Sequence, residues 1–186
     1  VVAGSVRSGS FNVMLARAAI RHLEAQGATV TRVDLASFDL PLYAAAIEAE
    51  RFPADALRLK QLFAGQQGIL FTSPEYNGSV SPLLKNAIDW ASRPTDGEGP
   101  VALTAYRGKA AAIMSASLSP FGGLRGLMQL RQILTTIQML VIPDQLAVPN
   151  AHQAFDDDGR LRDPLQTSLL ESSAARLVKV AAALSG

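Results

Sequence analysis

VVAGSVRSGSFN, residues 1–12, decides how the rest of the chain is read. Val1, Val2 and Ala3 make a short apolar strand, Gly4 ends it, and a hydroxyl-rich loop follows with Ser5, Arg7, Ser8, Gly9, Ser10 and Asn12. Phe11, Met14, Leu15, Ala18 and Ala19 then recur at helical spacing, with Arg17, Arg21 and Glu24 on the other face. A strand, a polar turn and a helix in that order aim unpaired amide N–H groups and the positive end of a helix dipole at one point. Such a point attracts an anion, most often a phosphate. Each hydrogen bond to a charged oxygen contributes about 1.5–3 kcal/mol, so a handful of donors can hold a phosphomonoester without a metal. The loop is not a Walker A loop, because Ser10 stands where GxxxxGK[ST] needs lysine, and the fingerprint GxGxxG is absent as well. A chain without cysteine excludes a cysteine-based phosphatase loop. Two readings remain: a loop that binds a terminal phosphate and does no chemistry on it, or an ordinary Gly/Ser-rich turn.

Further along, Gly27 ends the first helix and TVTRVDL (residues 29–35) reads as a second strand rich in β-branched residues. Residues 36–52 form an irregular connection whose Leu40, Pro41, Leu42 and Tyr43 pack either on their own domain or on a partner subunit. Pro53 opens a helix with Ala56, Leu59, Leu62 and Phe63 on one side. GILFTS (68–73) is a continuous apolar run, as expected of a parallel strand buried on both faces. After the loop 74–81, Ser81 as N-cap and Pro82 as first residue start a helix carrying Leu83, Leu84, Ala87, Ile88 and Ala91. Residues 93–108 have no period and read as an exposed, mobile loop that shapes acceptor specificity. AAAIMSAS (110–117) is another buried strand, followed by the Gly-rich turn LSPFGGLRG and a helix with Leu124, Leu127, Leu130 and Leu134. MLVIP and QLAVP supply a last strand region interrupted at Pro143. FDDDGRL (155–161) reads as a tight turn rather than a calcium loop, and Asp163 with Pro164 caps a final helix.

Five alternations of strand and helix predict one doubly wound α/β domain over residues 1–186, flavodoxin-like, with helices on both faces of a five-stranded parallel sheet. The expected strand order is 2-1-3-4-5, with ligands bound at the carboxyl ends of the strands beside the switch point. Three loops converge there: 4–12, 74–81 and 115–126. Composition narrows the function further. A net charge of +1 offers no basic face for nucleic acid, and no acidic surface of the kind an electron shuttle presents to basic partners. No apolar run is long enough to span a membrane, and the lack of cysteine excludes disulfides, iron–sulfur clusters and a thiolate nucleophile while suiting a cytoplasmic location. The chain opens without methionine and inside a strand, so residues upstream of Val1 are expected.

SPEYNGSVSPLLKNAIDW (73–90) resembles the signature of the NADPH-dependent FMN reductase family, which also contains chromate-, quinone- and azo-reducing flavoproteins. GSVRSGSFN is similar to that family's phosphate loop, and SPFGGLRGLMQLR to a third segment, so the resemblance covers nearly the whole chain in order. It implies that Ser5, Arg7, Ser10, Phe11 and Asn12 surround the FMN phosphate. It also implies that Pro74, Glu75, Tyr76, Asn77 and Gly78 border the isoalloxazine ring, with Ser115 or Ser117 beside it. Phe121, between Pro120 and Gly122, departs from the pattern of the third segment and leaves residue roles there open. The chemistry of those residue types agrees: Pro74 and the Tyr76 ring can cover one flat apolar face, and amides of an Asn77–Gly78 turn can reach the polar pyrimidine edge. The flavin N5 would carry the chemistry, with no catalytic protein residue and no metal.

The function so implied is an FMN-dependent NAD(P)H oxidoreductase, using NADPH or NADH and reducing a small-molecule acceptor such as a quinone, flavin, azo compound or metal oxyanion. A homodimer or homotetramer is expected, with no nucleic-acid or membrane partner. The alternatives are a flavodoxin-like electron carrier and an FMN-binding sensor without turnover. Glu75 is either a general base or a carboxylate that orders its turn, and Arg125 and Arg131 either hold the 2′-phosphate of NADPH or form surface ion pairs. Trp90 stacks on a ligand, packs inside the domain or, with Leu83 and Ile88, meets a second subunit, while His22 and His152 are structural.

Overall fold

Short apolar strands alternating with amphipathic helices build a parallel sheet covered on both faces; the computed structural model describes residues 1–185. β1 (Val2–Ala3) runs through the polar loop into α1 (Phe11–Ala25). A 3-10 turn over Leu35–Ser37, then α2 (Ala45–Glu50) and α3 (Ala54–Ala64), precede β2 (Gly68–Thr72). α4 (Pro82–Ser92), β3 (Ala110–Ala116), α5 (Leu124–Thr136) and β4 (Leu140–Val148) follow. α6 (Ala151–Ala154) and α7 (Pro164–Ser185) complete the described chain. The strands are parallel in the order β1-β2-β3-β4, with Val2 opposite Phe71, Leu70 opposite Ala112 and Ser115 opposite Ala147.

Alternation along the strands sorts the core into two layers. Ile69, Phe71, Ala111 and Ile113 face one way, against Leu59 and Phe63 of α3, Leu84 and Ile88 of α4, and Leu127 and Leu130 of α5. Leu70, Ala110, Ala112 and Met114 face the other, against Leu15 and Ala19 of α1 and Leu170, Ala174 and Leu177 of α7. Ser81 caps α4 by accepting from the Leu84 amide at 3.2 Å, and Asp163 accepts from the Leu165 amide at 2.8 Å at the start of α7. Phe155 and Leu161 bridge across a tight turn closed by the Gly159 amide on the Asp156 carbonyl at 3.0 Å.

The sheet has four strands, not the expected five. Residues 29–35 run beside β1 but contribute only one parallel bridge, Val33 to Val2. The Val1 amino group donates to the Thr31 carbonyl at 2.7 Å and the Val33 amide to the Val1 carbonyl at 2.9 Å. Pairing stops at Asp34, whose side chain accepts from the Ala36 amide at 3.1 Å and whose carbonyl accepts from the Ser37 hydroxyl at 2.8 Å. These local bonds turn the backbone into a 3-10 turn and end the ladder before β propensity can extend it.

The last strand region is continuous through Pro143, and accommodates it with a bulge. Register moves from Ala111–Val141 to Ile113–Gln145, leaving extra residues on β4. Arg131 holds the bulge, donating to the carbonyls of Val141 (3.2 Å), Ile142 (2.9 Å) and Pro143 (3.4 Å) and to Gln145 Oε1 (3.1 Å). Residues 36–52 fold onto their own domain: the Trp90 indole donates to the Pro41 carbonyl at 2.7 Å, and the rings of Tyr43 and Phe52 meet Trp90 edge-on at 5.1 and 5.6 Å.

Residues 93–108 lie at the amino edge of the sheet, leading from the end of α4 into the start of β3, the opposite edge from the three converging loops. They are also tied down. The buried Lys60 ammonium donates to the Arg93 carbonyl at 2.8 Å, to Thr95 Oγ1 at 3.2 Å and to the Glu98 carboxylate. Tyr106 is buried, with its hydroxyl 3.2 Å from the Ile88 carbonyl. A loop so placed and so anchored is a structural strap, not a mobile determinant of acceptor choice. Among the described residues, no helix is long and apolar enough to cross a membrane.

Candidate functional site

At the carboxyl edge of the sheet the three loops are tied into a ring by side chains that bond the backbone of a neighbouring loop. The Ser81 hydroxyl donates to the Gly4 carbonyl at 2.6 Å, joining the first loop to the start of α4. Asn12 Nδ2 donates to the Ala116 carbonyl at 2.8 Å, and its Oδ1 accepts from the Ala116 amide at 3.0 Å, joining the first loop to the third. Glu75 closes the ring by accepting from Arg125 Nε at 2.8 Å and from the Gly126 amide at 3.1 Å, joining the second loop to the third. The expected convergence of loops 4–12, 74–81 and 115–126 is therefore a matter of specific bonds.

In the first loop, Ser10 is the N-cap of α1, its hydroxyl 3.4 Å from the Val13 amide, and its own amide donates to the Arg7 carbonyl at 3.1 Å. Among the described residues the amides of Gly9, Phe11 and Asn12 donate to nothing, and Arg7 and Ser8 are exposed beside them. Ser5 Oγ lies 3.4 Å from the Arg7 amide. The Asn12 side chain is committed to Ala116, so only its backbone N–H is free to meet a ligand. Gly4 admits α4: a Cβ there would lie 3.0 Å from Leu84 Cβ and 3.1 Å from Ser81 Oγ.

In the second loop, Tyr76 and Ser79 exchange backbone hydrogen bonds of 2.9 and 3.0 Å around Asn77 (φ 52°) and Gly78 (φ 79°). Two consecutive positive φ angles are those of a type I′ turn, which Asn-Gly adopts at little cost. The turn leaves the Asn77 and Gly78 amides unpaired among the described residues, with Pro74 half-buried and Tyr76 52% exposed next to them. The Glu75 carboxylate is 7% exposed. Burial works against its charge, but the Gly126 amide and the Arg125 guanidinium outweigh that and hold its pKa below the usual carboxylate value. An ionised, doubly engaged carboxylate is a poor general base.

In the third loop, Ser115 is fully buried beneath Gly123, its hydroxyl without a protein partner, while Ser117 sits at the rim and accepts from the Ser119 amide at 3.2 Å. Arg125 pairs with Glu75 at 2.6 Å while its side chain stays 63% exposed, and Arg131 serves the β4 bulge. Phe121 and Met128, 62% and 61% exposed, flank this loop with Leu124. Ser81 and Thr72, whose hydroxyl donates to the Asn12 carbonyl at 2.8 Å, are site-building residues that the sequence reading did not single out as such. A hydroxyl at a strand end and one at a helix start were the available signals.

α1, α4 and α5 all begin at this edge, and none has an acidic residue in its first turn. The positive ends of α1 and α4 stay open at this edge, whereas the Glu75 carboxylate takes up that of α5; with the unpaired amides of two loops they supply donors suited to an anionic group and to the polar edge of a flat ring. That defines the class: an α/β protein with a parallel sheet covered on both faces and a cluster of unpaired amides at the carboxyl edge of its strands. The chain belongs to the NADPH-dependent FMN reductase family, whose model matches residues 1–153. It is 35% identical over 171 residues to an NAD(P)H-dependent FMN reductase of Pseudomonas aeruginosa, covering 91% of this chain and 87% of that protein. A quinone reductase of Escherichia coli is 39% identical over 140 residues, covering 75% and 70%. The solved structure of the flavoenzyme NAD(P)H:(acceptor) oxidoreductase from Paracoccus denitrificans superposes with a TM-score of 0.83 at 26% identity, covering 98% of this chain and 95% of that one.

Proposed function

We propose that the protein is an FMN-dependent NAD(P)H oxidoreductase acting as a single domain, with quinones and free flavin as acceptors and azo compounds and metal oxyanions as further ones. The observation that carries this reading is the set of unpaired amides at Gly9, Phe11, Asn12, Asn77 and Gly78 on two adjacent loops, with no acidic residue in the first turn of α1 or α4. Those donors fit FMN at both of its polar ends. FMN held there would supply hydride chemistry at its N5, between NADPH or NADH and the acceptor.

The chain's own part is to bind and orient. Arg7, the Ser5 and Ser10 hydroxyls and the amides of Phe11 and Asn12 neutralise the phosphate. The Asn77 and Gly78 amides meet the pyrimidine edge and favour the charge it gains on reduction. Pro74, Tyr76 and Ser117 border the ring, Ser115 lies buried beneath Gly123 and supports the third loop instead, and Glu75 acts on the loops rather than on the flavin. Val33 at the outer side of β1 supports reading the sheet in the flavodoxin order 2-1-3-4-5, with the edge strand reduced to one bridge. Exposed Tyr76, Phe121 and Met128 beside the crevice support a homodimer or homotetramer that covers it. The absence of cysteine supports a cytoplasmic protein.

The test is an anaerobic visible spectrum of the FMN-loaded protein before and after NADPH. Bleaching of the flavin band that a quinone reverses is the expected result. A bound flavin that neither NADPH nor NADH bleaches would make the protein a carrier or sensor, and no bound flavin would remove the reading altogether.

A further inference from the structure

The start of α5 lacks the features that normally finish a helix. Its N-cap is Gly123, which has no side chain to accept from the first-turn amides, and no acidic residue stands in that turn. The acceptor comes from elsewhere in the chain: Glu75 Oε2 takes the Gly126 amide at 3.1 Å across 51 residues of sequence, while Oε1 takes Arg125 Nε at 2.8 Å. The approach is close, since a Cβ on Gly126 would lie 3.3 Å from Glu75 Cβ and 3.2 Å from the Ser79 carbonyl oxygen. Arg125 in turn stands 5.8 Å from the centre of the Phe121 ring, so the pair reaches both the turn before α5 and the hairpin after β2.

We infer that Glu75 is a positioning residue: it caps α5 from the neighbouring loop and thereby fixes the Tyr76–Ser79 hairpin against the third loop. Glu75 is adjacent to Tyr76 in the chain, and its carboxylate is nearly buried and bonded on both oxygens, so the hairpin cannot shift without breaking the cap. This rests on the FMN reading for its consequence, which is that the Asn77 and Gly78 amides are held at a set distance from the flavin's pyrimidine edge. Flavin affinity and flavin potential are then both coupled to a carboxylate that contacts neither phosphate nor hydride.

The experiment compares Glu75→Ala, Glu75→Gln and, as a control that destabilises the opposite core layer at least as much, Leu177→Ala. In the flavin-free protein, Glu75→Ala is expected to speed hydrogen exchange at the Gly126 amide and to move the amide resonances of Asn77 and Gly78. With FMN, it is expected to weaken binding about tenfold, the size of a lost helix cap, and to shift the flavin midpoint potential. Glu75→Gln keeps an oxygen for the Gly126 amide and is expected to restore affinity to within about threefold of the parent. Leu177→Ala should leave affinity and potential unchanged. Unaltered Asn77 and Gly78 resonances in both Glu75 variants would overturn the proposal whether or not FMN binds, as would a Leu177→Ala shift equal to that of Glu75→Ala. A parent protein that binds no FMN would instead overturn the functional reading, leaving the resonances to decide the cap.

Discussion

Asn12→Ala is expected to be among the more damaging single changes in the molecule. The Asn12 side chain stands where a strand would pair with the end of β3, giving a donor to the Ala116 carbonyl at 2.8 Å and an acceptor to the Ala116 amide at 3.0 Å. Both residues are buried, so water cannot replace the lost amide. A buried peptide donor or acceptor left without a partner costs about 1–3 kcal/mol, and two on the same residue put the loss at about 2–6 kcal/mol. Against a domain stability of about 5–15 kcal/mol, that is a large fraction. Urea denaturation at neutral pH, followed by far-UV circular dichroism, should show a lower midpoint with an unchanged slope. Asn12→Asp keeps the acceptor but sets a carboxylate against the Ala116 carbonyl, so it should be at least as destabilising, and should improve relative to Ala as the pH falls and the acid can donate. A loss below about 0.5 kcal/mol for Asn12→Ala would refute the reasoning, because that is the range of ordinary surface substitutions.

Replacing Arg7 and Ser10 together by Ala should weaken FMN binding by at least about 100-fold, from two lost bonds to a charged phosphate, while costing the fold only about 1 kcal/mol for the cap; calorimetric titration with unchanged affinity would remove the phosphate assignment. Burial works against the Glu98 carboxylate, but hydrogen bonds from Lys60, Thr104 and Thr95 outweigh it and bring its pKa from 4.5 to about 2. A folded pKa depressed in this way adds stability that is present above about pH 4.5 and disappears as the pH falls toward 2. Lys60→Met should therefore cost about 3 kcal/mol at neutral pH and progressively less in acid, so parallel denaturation curves at both pH values would contradict the strap. Trp90→Phe removes the bond to the Pro41 carbonyl and should expose residues 36–52 to limited proteolysis, with a stability loss of about 1–2 kcal/mol; an unaltered digestion pattern would contradict that anchoring role.

Where local chemistry decides the outcome, the chain was readable: Ser81 and Pro82 start α4, Asp163 and Pro164 start α7, and the apolar run at 68–73 contains a strand buried on both faces. The edge strand at 29–35 was not readable, because β propensity there competes with the Asp34 turn and the winner depends on how much of β1 is available for pairing. The site divides in the same way. Asn77–Gly78 announces its turn by residue type, but Asn12 and Glu75 carry side chains whose partners are backbone groups of distant loops. Nothing in the local sequence says that Asn12 faces Ala116 instead of a phosphate. Glu75 had a faint signal in the bare start of α5, which needs an acceptor it does not itself supply. Residues 93–108 misled for a related reason: a Pro/Gly-rich loop looks free until Lys60, on another element, is seen to hold it.

Under the proposed function, the donors offered to the ligand are chiefly main-chain N–H groups, at Gly9, Phe11, Asn12, Asn77 and Gly78. Every residue except proline carries that group, so alanine at Phe11, Asn12 or Asn77 leaves the main-chain donor in place, and alanine scanning reads only the side-chain share that Arg7, Ser5 and Ser10 contribute. Sequence drift among relatives can likewise alter each side chain along these loops while the ligand meets the same row of donors. The tool that reaches the recognition itself is an amide-to-ester replacement, one backbone atom at a time.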